Sequence, residues 1–343
     1  MLLLIDGFDS YGTTIGSAPS PAGILARKYV DTLSESTMRI ETGRFGGYSL
    51  RFYSGVFRVG PQSLTTDATM IVGMALKFAN CPSRSVFLTF YDGTNYGVSL
   101  WVTVGGELVV TDRAGTQLAI TSGLGLLSNV WYYIEMKVVC GVSGSFELHV
   151  GGGSVLSGVG DTRATVGHDY NDGFRLCQYD YSSLTFYFDD LYCLDGSGLL
   201  NNDFLGVQKV TTLFPDGVGS ANEWTGSGAA DHYTYVNELV CDDDTTYVES
   251  LVAAQKELWA YQSITDVGSI AGLQISVDCR ETDANPFNLI TVVKTASESD
   301  NVASLVGTSS WITKQRLLET DPADSIVWDE TKINSAQFGV KVG

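Results

Sequence analysis

Positive charge is scarce in this chain. Twenty lysines and arginines stand against 39 aspartates and glutamates, a formal net charge of −19 over 343 residues. Binding a duplex or a single strand needs a basic footprint for the phosphates, so nucleic acid is excluded as an expected ligand. The same acidity favours solubility and suits contact with a basic partner. Proline is sparse too, at 7 residues against 38 glycines, a balance that favours short strands joined by tight turns. Long leucine-alanine-glutamate-lysine runs are missing, whereas 17 tyrosines and 15 phenylalanines are present, which points to strands. No stretch approaches the ~18 apolar residues that a membrane-spanning helix requires. The apolar start, residues 1–5, has no basic flank and is stopped by Asp6. It reads as a first buried strand and not as a secretory leader.

Motifs that carry chemistry are also missing. Cys81, Cys140, Cys177, Cys193, Cys241 and Cys279 form no CxxC pair and match no zinc-ligand spacing. Cys140, Cys177 and Cys193 lie in apolar runs, where a free thiol behaves as a small hydrophobe. Reduced, structural cysteines and cytoplasmic synthesis are expected. P-loops, dinucleotide fingerprints and the GxSxG elbow do not occur. Glycoside hydrolases need two carboxylates facing one cleft. Asp189 and Asp190 are adjacent, which puts them on opposite faces of a regular strand, and Glu135 and Glu147 stand alone among apolar neighbours. His149 alternates with Phe146, Leu148 and Val150, so it belongs on a polar strand face; His168 lies in a polar loop. On these grounds the protein is expected not to be an enzyme.

What is present is alternation. Residues 126–138 (LLSNVWYYIEMKV), 145–151 (SFELHVG) and 184–192 (LTFYFDDLY) each alternate at period two. Upstream, residues 38–41, 48–53, 68–78, 85–91, 96–104 and 107–111 read as further strands. The run 68–78 is apolar on both faces and should be central. Asp92-Gly93 and Gly105-Gly106 read as tight hairpin turns. Composition breaks at Gly196-Ser197-Gly198, which divides the chain into expected domains of 1–198 and 199–343. In the second, 205–210, 256–261, 271–280, 288–294, 310–317 and 338–342 read as strands. Residues 213–217 read as a turn and 328–337 as a short helix.

Five pieces occur in a telling order. They are Phe8-Asp9-Ser10, the glycine turn and strand 43–52, the strand ending in Lys77-Phe78, Trp131-Tyr132-Tyr133-Ile134-Glu135, and Phe188-Asp189-Asp190-Leu191-Tyr192. Together they resemble the concanavalin A-like (laminin G-like) jelly-roll superfamily. The resemblance implies an all-β fold: an N-terminal jelly-roll sandwich, with Trp131 filling the space between its sheets, followed by a smaller β-sandwich. That superfamily hosts lectins, hydrolases and virion proteins, so fold leaves function open.

Residues 206–210, 214–217, 223–225, 242–248, 319–322, Trp328 and 338–342 resemble, in that order, a β-sandwich domain of tailed-bacteriophage structural proteins. This implies a virion component, decorating a capsid or attached to a tail, with other virion proteins as partners and a homo-oligomeric assembly. The alternative is a protein that binds a host-surface glycan. Tyr91, Tyr96, Tyr170, Tyr179 and Tyr181 lie near polar loops, where aromatic faces would stack on sugars or anchor a partner. No cofactor is expected. Asp242, Asp243 and Asp244 are weak candidates for calcium, which favours carboxylate oxygens, against the plainer reading as a solvated acidic turn.

Overall fold

Alternation at period two becomes pairing between strands. The computed structural model describes residues 1–14, 19–29, 38–53, 57–59, 64–79, 81, 83–176, 185–265, 267–282, 288–301 and 304–343. Cys177, Tyr179 and Tyr181 lie outside them. The chain gathers into two compact units, one built mainly from residues 1–9 and 21–210, the other from 211–343. Both are all-β. Among the described residues no helix is long and apolar enough to cross a membrane.

The first unit carries β1 (Leu2–Asp6), a helix α1 (Pro21–Lys28), β2 (Met38–Thr42), β3 (Tyr48–Tyr53), β4 (Phe57–Val59), β5 (Thr69–Phe78), β6 (Ser85–Asp92), β7 (Asn95–Val102), β8 (Leu108–Thr111), β9 (Gln117–Ile120), β10 (Tyr132–Val139), β11 (Gly144–Val150), β12 (Gly153–Gly160), β13 (Gly173–Leu176) and β14 (Thr185–Asp195). Sheet A runs β12-β11-β10-β5-β14-β3-β2, with β1 also paired to β14, and sheet B runs β4-β13-β6-β7-β8-β9. The two sheets form the sandwich of a jelly roll. Their inner faces meet where Phe87 and Phe186 approach to 5.8 Å between ring centroids, and the aromatic contact continues through Phe188 to Phe52. Strand β5 is buried continuously from Met70 to Leu76, as expected of a central strand. Each such apolar side chain contributes about 1.5–3 kcal/mol on burial.

Several expectations are corrected in this unit. Trp131 does not fill the space between the sheets. Ile134, Met136 and Val138 face inward, so alternation sends Trp131 to the outer face of sheet A. There it is half-buried and edge-on to Tyr187 at 6.4 Å. Residues 127–131 lie outside any strand, and β10 begins at Tyr132. Gly105-Gly106 is not a two-residue hairpin; the turn spans Thr103 to Glu107, closed by Gly106 N–H donating to Thr103 O and by Thr103 N–H donating to Glu107 O. Asp189 and Asp190 do not face opposite ways. The ladder between β14 and β5 shifts register after Asp189, and Asp190 takes a left-handed φ of 49°. That bulge turns both carboxylates to one side. Asp189 accepts from the Arg44 backbone N–H at 2.8 Å, and Asp190 accepts from the Arg44 guanidinium at 3.3 Å.

The segment 199–210, part of which was expected to be a strand, belongs to no ladder. It is fixed by side chains of sheet A instead. Phe204 stacks on His149 at 3.8 Å, Asp203 pairs with Lys137 at 2.8 Å, Gly206 N–H donates to Glu135 and Val210 N–H donates to Asp190.

The second unit holds β15 (Pro215–Asn222), β16 (Thr225–Gly226), β17 (Val248–Glu249), β18 (Lys256–Tyr261), β19 (Leu273–Cys279), β20 (Asn288–Lys294), β21 (Glu298–Asp300), β22 (Ser304–Leu305), β23 (Ile312–Leu318), a helix α2 (Glu330–Ser335) and β24 (Gln337–Val342). Its main sheet runs β15-β18-β24-β20-β21, while β16 pairs with β17 and β19 with β23. Residues 215–217, expected as a turn, start β15. The expected helix is shorter than its motif. Asp329 caps it by accepting from Lys332 N–H, and its Ile333 joins Trp328, Phe338 and Leu318 in the core.

Candidate functional site

Sheet B has one apolar and one polar face, and both are buried across its central strands. Phe90, Phe174, Leu176, Val98 and Leu100 make the apolar face. On the other, Arg175 of β13 stands opposite Thr89 of β6, Thr89 opposite Ser99 of β7, and Ser99 opposite Thr111 of β8. This polar row crosses four strands. The Thr89 and Ser99 hydroxyls are 3.0 Å apart, and the Trp101 indole N–H donates to Thr111 at 3.0 Å. Strands β6 and β13 are buried along their whole length, so this row is covered and not an open surface, and the enclosed region is termed the recess.

Arg175 is the group the recess is built around. It is 2% exposed, and its Nε and Nη1 have no hydrogen-bond partner among the described residues. Its guanidinium carbon lies 4.6 Å from the centre of the Tyr96 ring and 5.4 Å from that of Tyr91. Two tyrosine faces hold the cation by their quadrupoles, but they leave its N–H donors unfilled. A buried charge without a paired carboxylate is costly, and such a group is a mark of a site. Gly173 makes room for the arrangement: a Cβ there would lie 2.6 Å from the Tyr91 ring. Asn171, two residues earlier, is fully buried, and neither atom of its amide has a partner among the described residues. Its Oδ1 lies beside Gly97, next to Tyr96 in sequence. The recess thus offers a fixed guanidinium and two phenol rings.

The rim is the β6–β7 hairpin tied to the loop before β13. Asp172 accepts from Gly93 N–H at 3.0 Å, and Asn95 donates to Thr165 at 2.9 Å. Nδ1 of His168 and Oδ2 of Asp92 are 2.6 Å apart, with Asp92 nearly buried and the imidazole side chain 45% exposed. The His168 ring stacks on Tyr170 at 5.1 Å. An exposed imidazole oriented by a buried carboxylate is equipped to take or give a proton.

Of the five tyrosines singled out in the sequence, Tyr91 and Tyr96 flank Arg175 and Tyr170 supports His168. Tyr179 and Tyr181 fall outside the described residues. Tyr91 is buried at 1% exposure while Tyr96 is 39% exposed, so only the latter offers an open face. Sequence reasoning missed Arg175 and Asn171. Their signal appears only when β13 is paired in register with β6.

Asp242, Asp243 and Asp244 diverge. Asp242 accepts from Thr246 N–H and hydroxyl, and Asp244 pairs with Arg280. Among the described residues no group of three or more His, Cys, Asp or Glu side chains could hold a metal ion. Elsewhere in the second unit Glu257 is buried, accepting from Trp224 N–H at 3.0 Å with His232 Nδ1 2.9 Å away. Glu238 is pushed up to about 7 by burial. The described cysteines are free, and burial pushes the Cys140 thiol up to about 11, which keeps it unreactive.

No family model and no curated protein sequence matches the chain. Solved structures do. The chain is similar to the alginate lyase Aly36B (11% identity, TM-score 0.39, covering 56% of this chain and 96% of that one). It is similar to an endo-β-1,4-glucuronan lyase from the fungus Trichoderma reesei (10%, 0.32, 48% and 90%). It is also similar to a Trypanosoma rangeli sialidase (10%, 0.35, 47% and 29%). The expectation that the protein is not an enzyme is corrected by these neighbours, which carry the names of carbohydrate-active enzymes. No residue correspondence follows from likeness this weak.

Proposed function

We propose that the first unit binds carboxylated sugars in the recess of sheet B, and that the chain recognises a host-surface glycan as a virion-attached protein. The observation that supports the binding role is Arg175. It is a buried guanidinium whose Nε and Nη1 donors have no partner among the described residues, fixed between Tyr91 and Tyr96. A guanidinium matches a carboxylate in a planar, charge-assisted pair, and tyrosine faces and hydroxyls suit the rest of a sugar ring. The virion role is supported by the motif order of residues 206–342, a resemblance of sequence. Calorimetric titration of galacturonate oligosaccharides into the wild type and Arg175→Ala tests the reading. Saturable binding that Arg175→Ala weakens by tenfold or more, at least about 1.4 kcal/mol, supports it; equal binding by both overturns it.

A second reading is an enzyme that cleaves uronate chains by elimination. The His168–Asp92 pair favours it. A base removes the proton α to the sugar carboxylate, the β C–O bond to the leaving sugar breaks, the departing oxygen takes a proton from the protonated base or from water, and the products carry a new C=C bond and a new hydroxyl. His168 is the base in this reading, and Arg175 neutralises the carboxylate. Ultraviolet absorbance of the conjugated double bond, rising with wild type and not with His168→Ala, is the expected sign. A flat trace over days at high enzyme concentration overturns this second reading and leaves the first untouched.

A further inference from the structure

The outer face of sheet A carries a second row of residues in register, on the opposite side of the sandwich from Arg175. Arg39 of β2 pairs with Arg51 of β3, Arg51 with Tyr187 of β14, and Tyr187 with Lys77 of β5. Tyr132 of β10 pairs with Leu76, which brings Trp131 beside Lys77. All five side chains are partly exposed. Neighbouring strands lie ~4.8 Å apart, so the row spans roughly 19 Å.

From Arg51 to Trp131 cations and rings alternate along it, and Arg39 adds a second cation beside Arg51. Lys77 Nζ lies 4.1 Å from the centre of the Tyr187 ring and 4.7 Å from the centre of the Trp131 indole. The Arg51 guanidinium lies 5.9 Å from the Tyr187 ring. Lys77 makes no ion pair with any described residue, and burial against the two rings lowers its pKa while Glu41 raises it. Arg51 pairs with Glu41 at 2.9 Å. Three cations and one carboxylate therefore share a strip of a chain whose net charge is −19. The basic residues are few, and here they are concentrated on rigid strands.

We propose that this row is a second binding surface, which takes a carboxylated polysaccharide laid across the strands of sheet A. The complementarity is of charge and shape: a linear chain of sugar acids presents carboxylates and flat ring faces in alternation, and the row from Arg51 to Trp131 presents cations and aromatic rings in alternation. An acidic peptide satisfies the cations but gives Trp131 and Tyr187 nothing to stack on. A single-stranded nucleic acid meets both, against the repulsion of the whole acidic chain. The proposal stands apart from the Arg175 reading, because the residues lie on the other sheet.

Polygalacturonate is the probe, with galacturonate disaccharide, polyglutamate and oligothymidylate beside it. In Lys77→Gln/Arg39→Gln, melting as the wild type does, polymer affinity falls by roughly tenfold or more, the loss of charge-assisted contacts, while disaccharide binding is unchanged. Trp131→Phe loses the part of the tryptophan fluorescence change that polymer causes in the wild type. Wild-type polymer affinity in the double variant overturns the surface. Polyglutamate or oligothymidylate bound as tightly as polygalacturonate overturns the choice of ligand. Polymer binding that survives Arg175→Ala, with no disaccharide binding in any variant, sinks the Arg175 reading and leaves this one standing.

Discussion

Arg175 shows how a site hides from sequence. Its context, Gly173-Phe174-Arg175-Leu176, reads as a short alternating strand with one polar position. Only pairing reveals that this position is 2% exposed and lacks a carboxylate partner among the described residues. Tyr91 and Tyr96 were legible as aromatic residues near a turn; their common contact with the guanidinium was not. The account makes a stability prediction here. An unpaired buried cation opposes folding, so Arg175→Met should leave the melting temperature unchanged or raise it, by up to about 1 kcal/mol in stability, while sugar binding is lost. A large drop in melting temperature would show that the guanidinium is structurally satisfied. Asp189 supplies a second residue-scale prediction. Burial, reinforced by Asp190, raises its carboxyl to about 7. Unfolded aspartate titrates near ~3.9, so between these values the folded chain holds the proton more tightly. Stability through this group therefore falls as pH rises from about 4 to about 7. Asp189→Asn removes the ionisation. Its melting temperature relative to wild type should climb across that window and level off above it; a difference constant in pH would contradict the assignment.

At the scale of elements, period two was the dependable signal. The strands from Met38 to Val150 and from Lys256 to Val342 were largely legible because each buries one face or both. What failed has a local cause in each instance. The bulge at Asp189-Asp190 breaks the alternation that a sequence reader extrapolates. Trp131 precedes its strand and follows the parity of Tyr133, not of the core residues. The segment 199–210 has strand-like composition, yet it is held by Glu135, His149 and Asp190 and not by a neighbouring backbone. Sheet A depends on one glycine for this. Gly73 faces Tyr192, and a Cβ there would come within 2.2 Å of the ring. The ring lies over β5, and its hydroxyl donates to Glu135. Gly73→Ala should therefore cost ~2 kcal/mol by overpacking, read as a lower urea midpoint. An unchanged midpoint would mean that Tyr192 swings aside freely.

For the whole molecule, the acidic balance and the all-β class were legible from composition and turn spacing. The distribution of the few basic residues was not, since it requires register across strands. Arg175 ends in the recess of sheet B and Arg39, Arg51 and Lys77 on the outer face of sheet A, which places four of the 20 basic residues on two faces of one sandwich. The central claim is that the recess selects a sugar by its carboxylate. The direct measurement is the affinity of the wild type for a galacturonate oligosaccharide against its methyl ester, identical but for the charge. The account predicts that the free acid binds at least about tenfold tighter; equal affinities for acid and ester would contradict it.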